Sequence, residues 1–308
     1  MRFLISRLSA LGDTVCSLPA ASALKRAFPE CHISWVVDSR FAGVVECCSA
    51  VDRVVSWKFG WTPPSWDEPF DAALDLQGLL KSAYPVLRCK AKRKVGYHWQ
   101  REGSALVSER MLPDPTSFHI VDQYVDVARA IGGQADRAEF GLAPKPEDLQ
   151  SVTAKLDAAG VSGRFVVLNA GAGWATKRWP PEHFARLIHA VSAEGVRSVL
   201  IGGPGVSDKE AAGEVIASCT SKPVEMLGQT SVRELIALIS MANAHVGGDT
   251  GSTHIAAALG VPAVGLYSIT RPQRSCPYGQ IERCHYDPSG LAAIQPEQVL
   301  EAVRAAVG

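Results

Sequence analysis

Short apolar runs alternate with longer helical ones along the whole chain, and that alternation constrains the fold more than any other feature. RFLIS, HISWVV, AVDRVVSW and FDAALDLQ read as strands in the first half, and RFVVLNAG, VRSVLIGG, PVEMLG, AHVGGD and PAVGLYS in the second. Between them stand helical stretches such as TVCSLPAASALKRAF, IVDQYVDVARAIG, PEHFARLIHAVSAEG and SVRELIALISMA, the last with Ser231 and Glu234 spaced as a capping box. Strands separated by helices of this length pair in parallel, which predicts an α/β architecture. The 308 residues exceed one comfortable core. GLAPKPEDL, residues 141–149, combines proline and charge without an apolar period and divides the pattern. Two α/β domains are therefore expected, 1–145 and 146–308, with an active cleft between them beyond the C-terminal strand ends. The last helix, about residues 296–307, follows a long irregular segment and could pack back on the first domain.

Composition removes several classes of function. Thirty-one basic and 31 acidic residues cancel, so no global field attracts nucleic acid. No segment reaches the roughly 20 apolar residues of a membrane span, and Arg7 and Asp13 interrupt the N-terminus too early for a signal peptide. A cytoplasmic protein is expected, with its eight cysteines, which follow no metal spacing, as free and mostly buried thiols. No two aspartates are spaced DxD, so a metal-bridged sugar nucleotide is not signalled.

The chemistry concentrates in four stretches. In RLSALGDTVCSLP, Asp13 opens a helix after a strand and reads either as an N-terminal cap or as a general base. Asp38, after strand two, stands where a dinucleotide fold keeps its ribose-binding acid, but LSALGD, GAGWAT and GGPGVS all lack the full glycine fingerprint. Residues 76–101 hold Lys81, Arg88, Lys90, Lys92, Arg93, Lys94 and Arg101 with no acid, an anion-attracting field or a solvated face. Lys81, directly after LDLQG, is placed for an anionic ligand. In NAGAGWATKRWPPEHF a glycine-rich turn precedes Lys177, which suits a pyrophosphate. Glu210 reads either as a ribose ligand or as the partner of Ser207 in a capping box. Finally, VGGDTGSTHIAAALGVP takes a strand into an alanine-rich helix through tiny polar residues. Thr250, Gly251 and Ser252 can offer N–H groups to phosphate oxygens there. Asp249 reads as a ligand of sugar hydroxyls or as a cap, and His254 as a buried, satisfied histidine.

SALGDTVCSLPA, DLQGLLKSA, KRWPPEHF and GGDTGSTHIAAALGVP together resemble glycosyltransferase family 9, the ADP-heptose–lipopolysaccharide heptosyltransferases, over nearly the whole chain. LDLQGLLKSA followed by WQRE looks most like the heptosyltransferase I branch. The resemblance implies a GT-B fold, with acceptor held by the first domain and ADP-sugar by the second. It implies inverting, metal-independent transfer of heptose to the Kdo region of lipid A, with an ADP-sugar as co-substrate and no cofactor. Asp13 matches the family's catalytic base, and Lys177 its phosphate-binding lysine. Asp249, Thr250, Gly251 and His254 match the donor turn, with Glu210 near the ribose glutamate. Lys81, Arg101, Gly12 and Gln77 fall on the acceptor side. The expected enzyme is a monomer attached peripherally to the anionic cytoplasmic face of the inner membrane. A different acceptor or nucleotide sugar, a nicotinamide oxidoreductase and a non-catalytic ADP-sugar-binding protein are the alternatives. GAGWATK lacks a threonine pair often found before the lysine, so backbone N–H groups would replace hydroxyls there.

Overall fold

The computed structural model describes residues 1–171 and 178–308, and the chain divides into two compact units, Met1–Ala143 and Pro144–Gly308. In the first unit β1 (Arg2–Ser6), α1 (Leu11–Ala27), β2 (His32–Val37), α2 (Ala42–Glu46) and β3 (Arg53–Ser56) lead into β4 (Phe70–Asp75) and α3 (Leu80–Arg88). β5 (Ala91–Tyr97), β6 (Glu109–Met111) and α4 (Ile120–Arg129) complete it. The second unit runs α5 (Pro146–Ala158), β7 (Phe165–Asn169), α6 (Pro181–Ala193), β8 (Arg197–Ile201), α7 (Val206–Ser218) and β9 (Val224–Glu225). α8 (Val232–Met241), β10 (Ala244–Gly248), α9 (Gly251–Ala258), β11 (Ala263–Tyr267), α10 (Pro272–Ser275), β12 (Cys284–Tyr286) and α11 (Pro296–Val307) follow.

Each unit holds a six-stranded, wholly parallel sheet, ordered β3-β2-β1-β4-β5-β6 in the first and β9-β8-β7-β10-β11-β12 in the second. The two orders are the same when each unit's strands are counted from its own start. Both are doubly wound, and strand order reverses between the first and fourth strands. The central strands are buried on both faces, which explains their continuous apolar composition.

Three strands lie where the sequence pattern names none. β5 falls inside the basic run, β6 runs into the start of the proline-rich RMLPDPTSFH, and β12 falls inside the irregular segment before α11. Half of the expected linker is also helix. α5 starts at Pro146, whose fixed φ and missing N–H suit the first helical turn. α5 packs on α8, where Lys155 and Ser151 both reach Glu234, the residue that closes the capping box with Ser231. α11 buries Val299 and Val303 in the core built on α6 and the second sheet. Val299 and Val303 thus serve the core of their own unit.

Candidate active site

Asp13, Gln77 and Lys81 lie at one strand-order reversal, and Asp249, Thr250, Gly251 and His254 at the other. In the first unit, β1 and β4 are neighbours, and both open into turns at that point. Asp13 is the third residue of α1, after Gly12, and not its cap: Ala10 holds the cap position and has no side chain to serve it. The Asp13 carboxylate lies 3.5 Å from the Ala10 N–H, at the limit of a hydrogen bond. Its close partner is Arg7, whose Nη2 stands 2.7 Å from Oδ2. The Arg7 side chain is buried while that of Asp13 is 43% exposed, so the carboxylate is held from beneath and open above. Arg7 also donates to the Leu76 carbonyl and lies 5.1 Å from the Tyr124 ring centroid. Burial opposes its charge, yet Tyr124 and Asp13 hold it protonated above its ordinary value.

From β4, the buried Asp75 accepts N–H groups of Gln77 at 3.0 Å and Gly78 at 2.9 Å, and burial pushes its carboxyl up from the ordinary range. Gly78 has φ +72°, and a Cβ there would meet the Trp99 carbonyl at 2.5 Å, so only glycine fits the turn. The turn aims Gln77 and Lys81 at one atom, the Ser9 hydroxyl, at 3.2 and 2.7 Å. Gln77 also accepts the Leu8 N–H at 3.0 Å. The structure thus brings Gln77 and Lys81 to the loop that launches Asp13. Arg101 joins through its backbone, donating to the Gly78 carbonyl at 2.8 Å, and its exposed guanidinium lies over Trp99.

The basic run is less uncompensated than its sequence suggests. β5 pairs Lys92 with Asp71 at 2.7 Å and Arg93 with Glu109 at 3.2 Å, and Lys94 donates to the Leu87 carbonyl. Both acids lie outside the 76–101 run. Asp38 is equally committed: both carboxylate oxygens bind Arg40, which holds its pKa below the usual range. That leaves little of Asp38 for a ribose.

In the second unit, β7 and β10 meet at the reversal. Thr250, not Asp249, is the cap residue of α9, and its side chain caps nothing. Asp249 stands 3.4 Å from His254 Nε2, and His254 is buried, as expected. Behind the turn runs a polar network that the sequence does not announce. Asn169 Nδ2 reaches Thr250 Oγ1 at 3.2 Å and Ser252 Oγ at 2.9 Å, while Asn169 Oδ1 accepts the Gly171 N–H at 3.0 Å. Ser252 Oγ also lies 3.1 Å from Thr250 Oγ1 and 3.0 Å from Nε2 of the fully buried His245. Thr250 Oγ1 is 3.2 Å from Thr253 Oγ1, which donates to the Gly248 carbonyl at 2.7 Å.

Lys177 lies outside the described residues. Its neighbours are placed: Arg178 donates to the Ser207 carbonyl and hydroxyl, and Trp179 is a core residue donating to the Ile294 carbonyl at 2.9 Å. Glu210 is exposed on α7. The helix is capped at Gly205, not Ser207, so the Ser207–Glu210 capping box does not form. Asp208 is the acid that binds this loop, accepting the Gly203 N–H at 2.9 Å. All eight cysteines are free thiols. Among the described residues, no three His, Cys, Asp or Glu side chains cluster to hold a metal, and no helix is long and apolar enough to cross a membrane.

Comparison with known proteins places this arrangement. The profile of glycosyltransferase family 9 (heptosyltransferase) matches residues 67–292. Lipopolysaccharide heptosyltransferase 1 of Escherichia coli K12 is 27% identical over 98% of this chain and 98% of its own length. Lipopolysaccharide heptosyltransferase 3 of the same strain is 31% identical over 84% of this chain and 80% of its own. The solved E. coli heptosyltransferase WaaC with ADP superposes with a TM-score of 0.79 at 23% identity, covering 99% of this chain and 100% of that one.

Proposed function

The chain belongs to glycosyltransferase family 9, the heptosyltransferases, and from that premise we propose that it moves heptose from ADP-L-glycero-D-manno-heptose to the Kdo region of lipid A. Asp13 takes the proton from an acceptor hydroxyl, whose oxygen attacks the anomeric carbon opposite the departing ADP. The configuration inverts, and no metal takes part. Lys177 and the N–H groups of Thr250 and Gly251 meet the charge growing on the diphosphate, where preorganised donors act most strongly. Asp249, His254 and Glu210 serve the rest of the donor, while Gly12, Gln77, Lys81 and Arg101 serve an acidic acceptor.

The observation that carries this reading is the Asp13 carboxylate, fixed at 2.7 Å by a buried arginine and exposed on its other side. A base needs that combination of fixed direction and open access. Lys81, held on the Ser9 hydroxyl in the loop that leads to Asp13, supplies the positive charge that a carboxylate- and phosphate-rich acceptor requires. The enzyme works as a monomer at the cytoplasmic face of the inner membrane, drawn there by Lys81, Arg88, Lys90 and Arg101.

The testing experiment is ADP release from ADP-heptose with and without Kdo-lipid A. Acceptor-dependent release that persists in excess chelator is the expected result; a strict metal requirement would contradict the mechanism. The 31% identity to a heptosyltransferase 3 favours one second reading, the same donor with a later core acceptor. Release stimulated by a heptosylated core and not by Kdo-lipid A would select it.

A further inference from the structure

The hydroxyl network behind the second-unit turn has only one arrangement of its protons. A carbonyl can only accept, so Thr253 spends its hydroxyl proton on Gly248. Thr253 Oγ1 must then accept from Thr250, which spends the Thr250 proton. Ser252 in turn must donate to Thr250. With its single proton committed, Ser252 can only accept from His245, so Nε2 of that imidazole carries a hydrogen. Asn169 is oriented by the Gly171 N–H at its oxygen, and it donates its two amide hydrogens to Thr250 and Ser252.

The count closes. Ser252 Oγ accepts twice, from Asn169 and His245, and donates once; Thr250 Oγ1 accepts twice, from Asn169 and Ser252, and donates once. Each hydroxyl oxygen has two lone pairs and one proton, so neither retains capacity for a ligand. The other imidazole nitrogen, Nδ1, is buried without a partner among the described residues. A bare lone pair there is the less costly orphan, because an N–H so placed would lose a strong donor contact outright.

We propose that His245 is a positioning residue, held as its Nε2–H tautomer, that completes the hydroxyl chain whose direction the Gly248 carbonyl sets and leaves the turn only backbone N–H groups to offer a phosphate. Ser252 and Thr250 flank Gly251, the first residue of α9, so fixing their side chains fixes the peptide groups between them. Burial supports the assignment: it holds the imidazole at about 3, with the neighbouring His254 acting the same way, so the ring is uncharged. The inference rests on the reading of this turn as the donor-diphosphate site.

Two measurements on the full-length protein test it. Long-range ¹⁵N–¹H correlation on histidine-labelled protein reads the tautomer directly, with His245 identified by its loss in His245→Gln. Protonated Nε2 and bare Nδ1 are expected; the opposite tautomer overturns the proposal. ADP titration is the second. Ser252→Ala and His245→Phe should each weaken ADP by about five- to tenfold, the size of one hydrogen bond. The double variant should be no weaker than either. His245→Gln, which keeps an N–H donor at similar reach, should stay within about twofold of wild type. Wild-type affinity in both Ser252→Ala and His245→Phe overturns the proposal. Should His245→Phe fail to fold, Ser252→Ala and the wild-type tautomer still decide. Wild-type protein that does not bind ADP would instead remove the donor-turn reading, and the tautomer would still judge this one.

Discussion

The two strand-order reversals share a topology and differ in electrical character. At β1/β4 the chain places Arg7, Asp13, Asp75 and Lys81 within a few residues of two adjacent turns. At β7/β10 the equivalent turns are tied by a carboxamide, three hydroxyls and an uncharged imidazole, with Asp249 against His254 as the carboxylate of that turn. Strand order places a loop in space but leaves its chemistry open. A site that must take a proton needs charged side chains with one exposed face. A site that must meet a diphosphate does better with main-chain N–H groups, and its side chains then serve to hold the main chain still.

That contrast can be broken by substitution on each side. The largest effect is expected from Asp13→Ala, which should lower kcat by about 10³-fold, the range of general-base catalysis. Its ADP affinity should hold within about twofold, because the proposed donor turn lies in the second unit; calorimetric ADP titration showing lost affinity would merge the two sites' roles. Arg7→Met should follow, with kcat down by about 10²-fold from a misdirected base and ADP binding again unchanged. Rates near wild type would show that Asp13 needs no anchor. On the other side, Lys177→Ala should weaken ADP by about 10- to 100-fold, the loss of a charge-assisted contact, with little change in acceptor KM. The reverse split would move Lys177 to the acceptor.

Acid should separate the two regions further. His245 titrates near 3 in the fold and at the ordinary 6.5 when unfolded. The unfolded chain therefore binds the extra proton first, and the stability that His245 contributes is complete above pH 6.5 and lost as pH falls toward 3. Thermal melts across that window should show a steeper acid slope in wild type than in His245→Gln, and equal slopes would refute the burial argument. The smallest effect belongs away from both reversals. Ser231→Ala removes one half of the α8 capping box and should cost about 1 kcal/mol by denaturant unfolding with kcat unchanged.

The sequence made the core strands legible because parallel strands buried on both faces are unbroken apolar runs. It hid β5, whose Lys92, Arg93 and Lys94 read as a solvated face; their acids, Asp71 and Glu109, arrive only through the sheet. Asp13, Lys81 and the Thr250–Gly251 turn were legible because they follow strand ends and open helices. Arg7 was passed over as an interruption of an apolar segment, since nothing local shows that its guanidinium would be buried under a carboxylate six positions on. Asn169 and His245 escaped for a related reason. Each lies inside or at the end of an apolar strand, and their common partner, Ser252, comes from the next helix.

The outermost strands of both sheets are short: β3 has four residues, β6 and β12 three each, and β9 two. Arg53, Glu109, Arg110 and Glu225 sit exposed on three of them. A growing aggregate recruits a neighbour by extending a ladder of main-chain bonds along such a border, and ladders this brief offer few rungs. The fold therefore keeps unpaired main chain scarce at its margins. Crowding should leave the protein dispersed even when copies meet edge to edge.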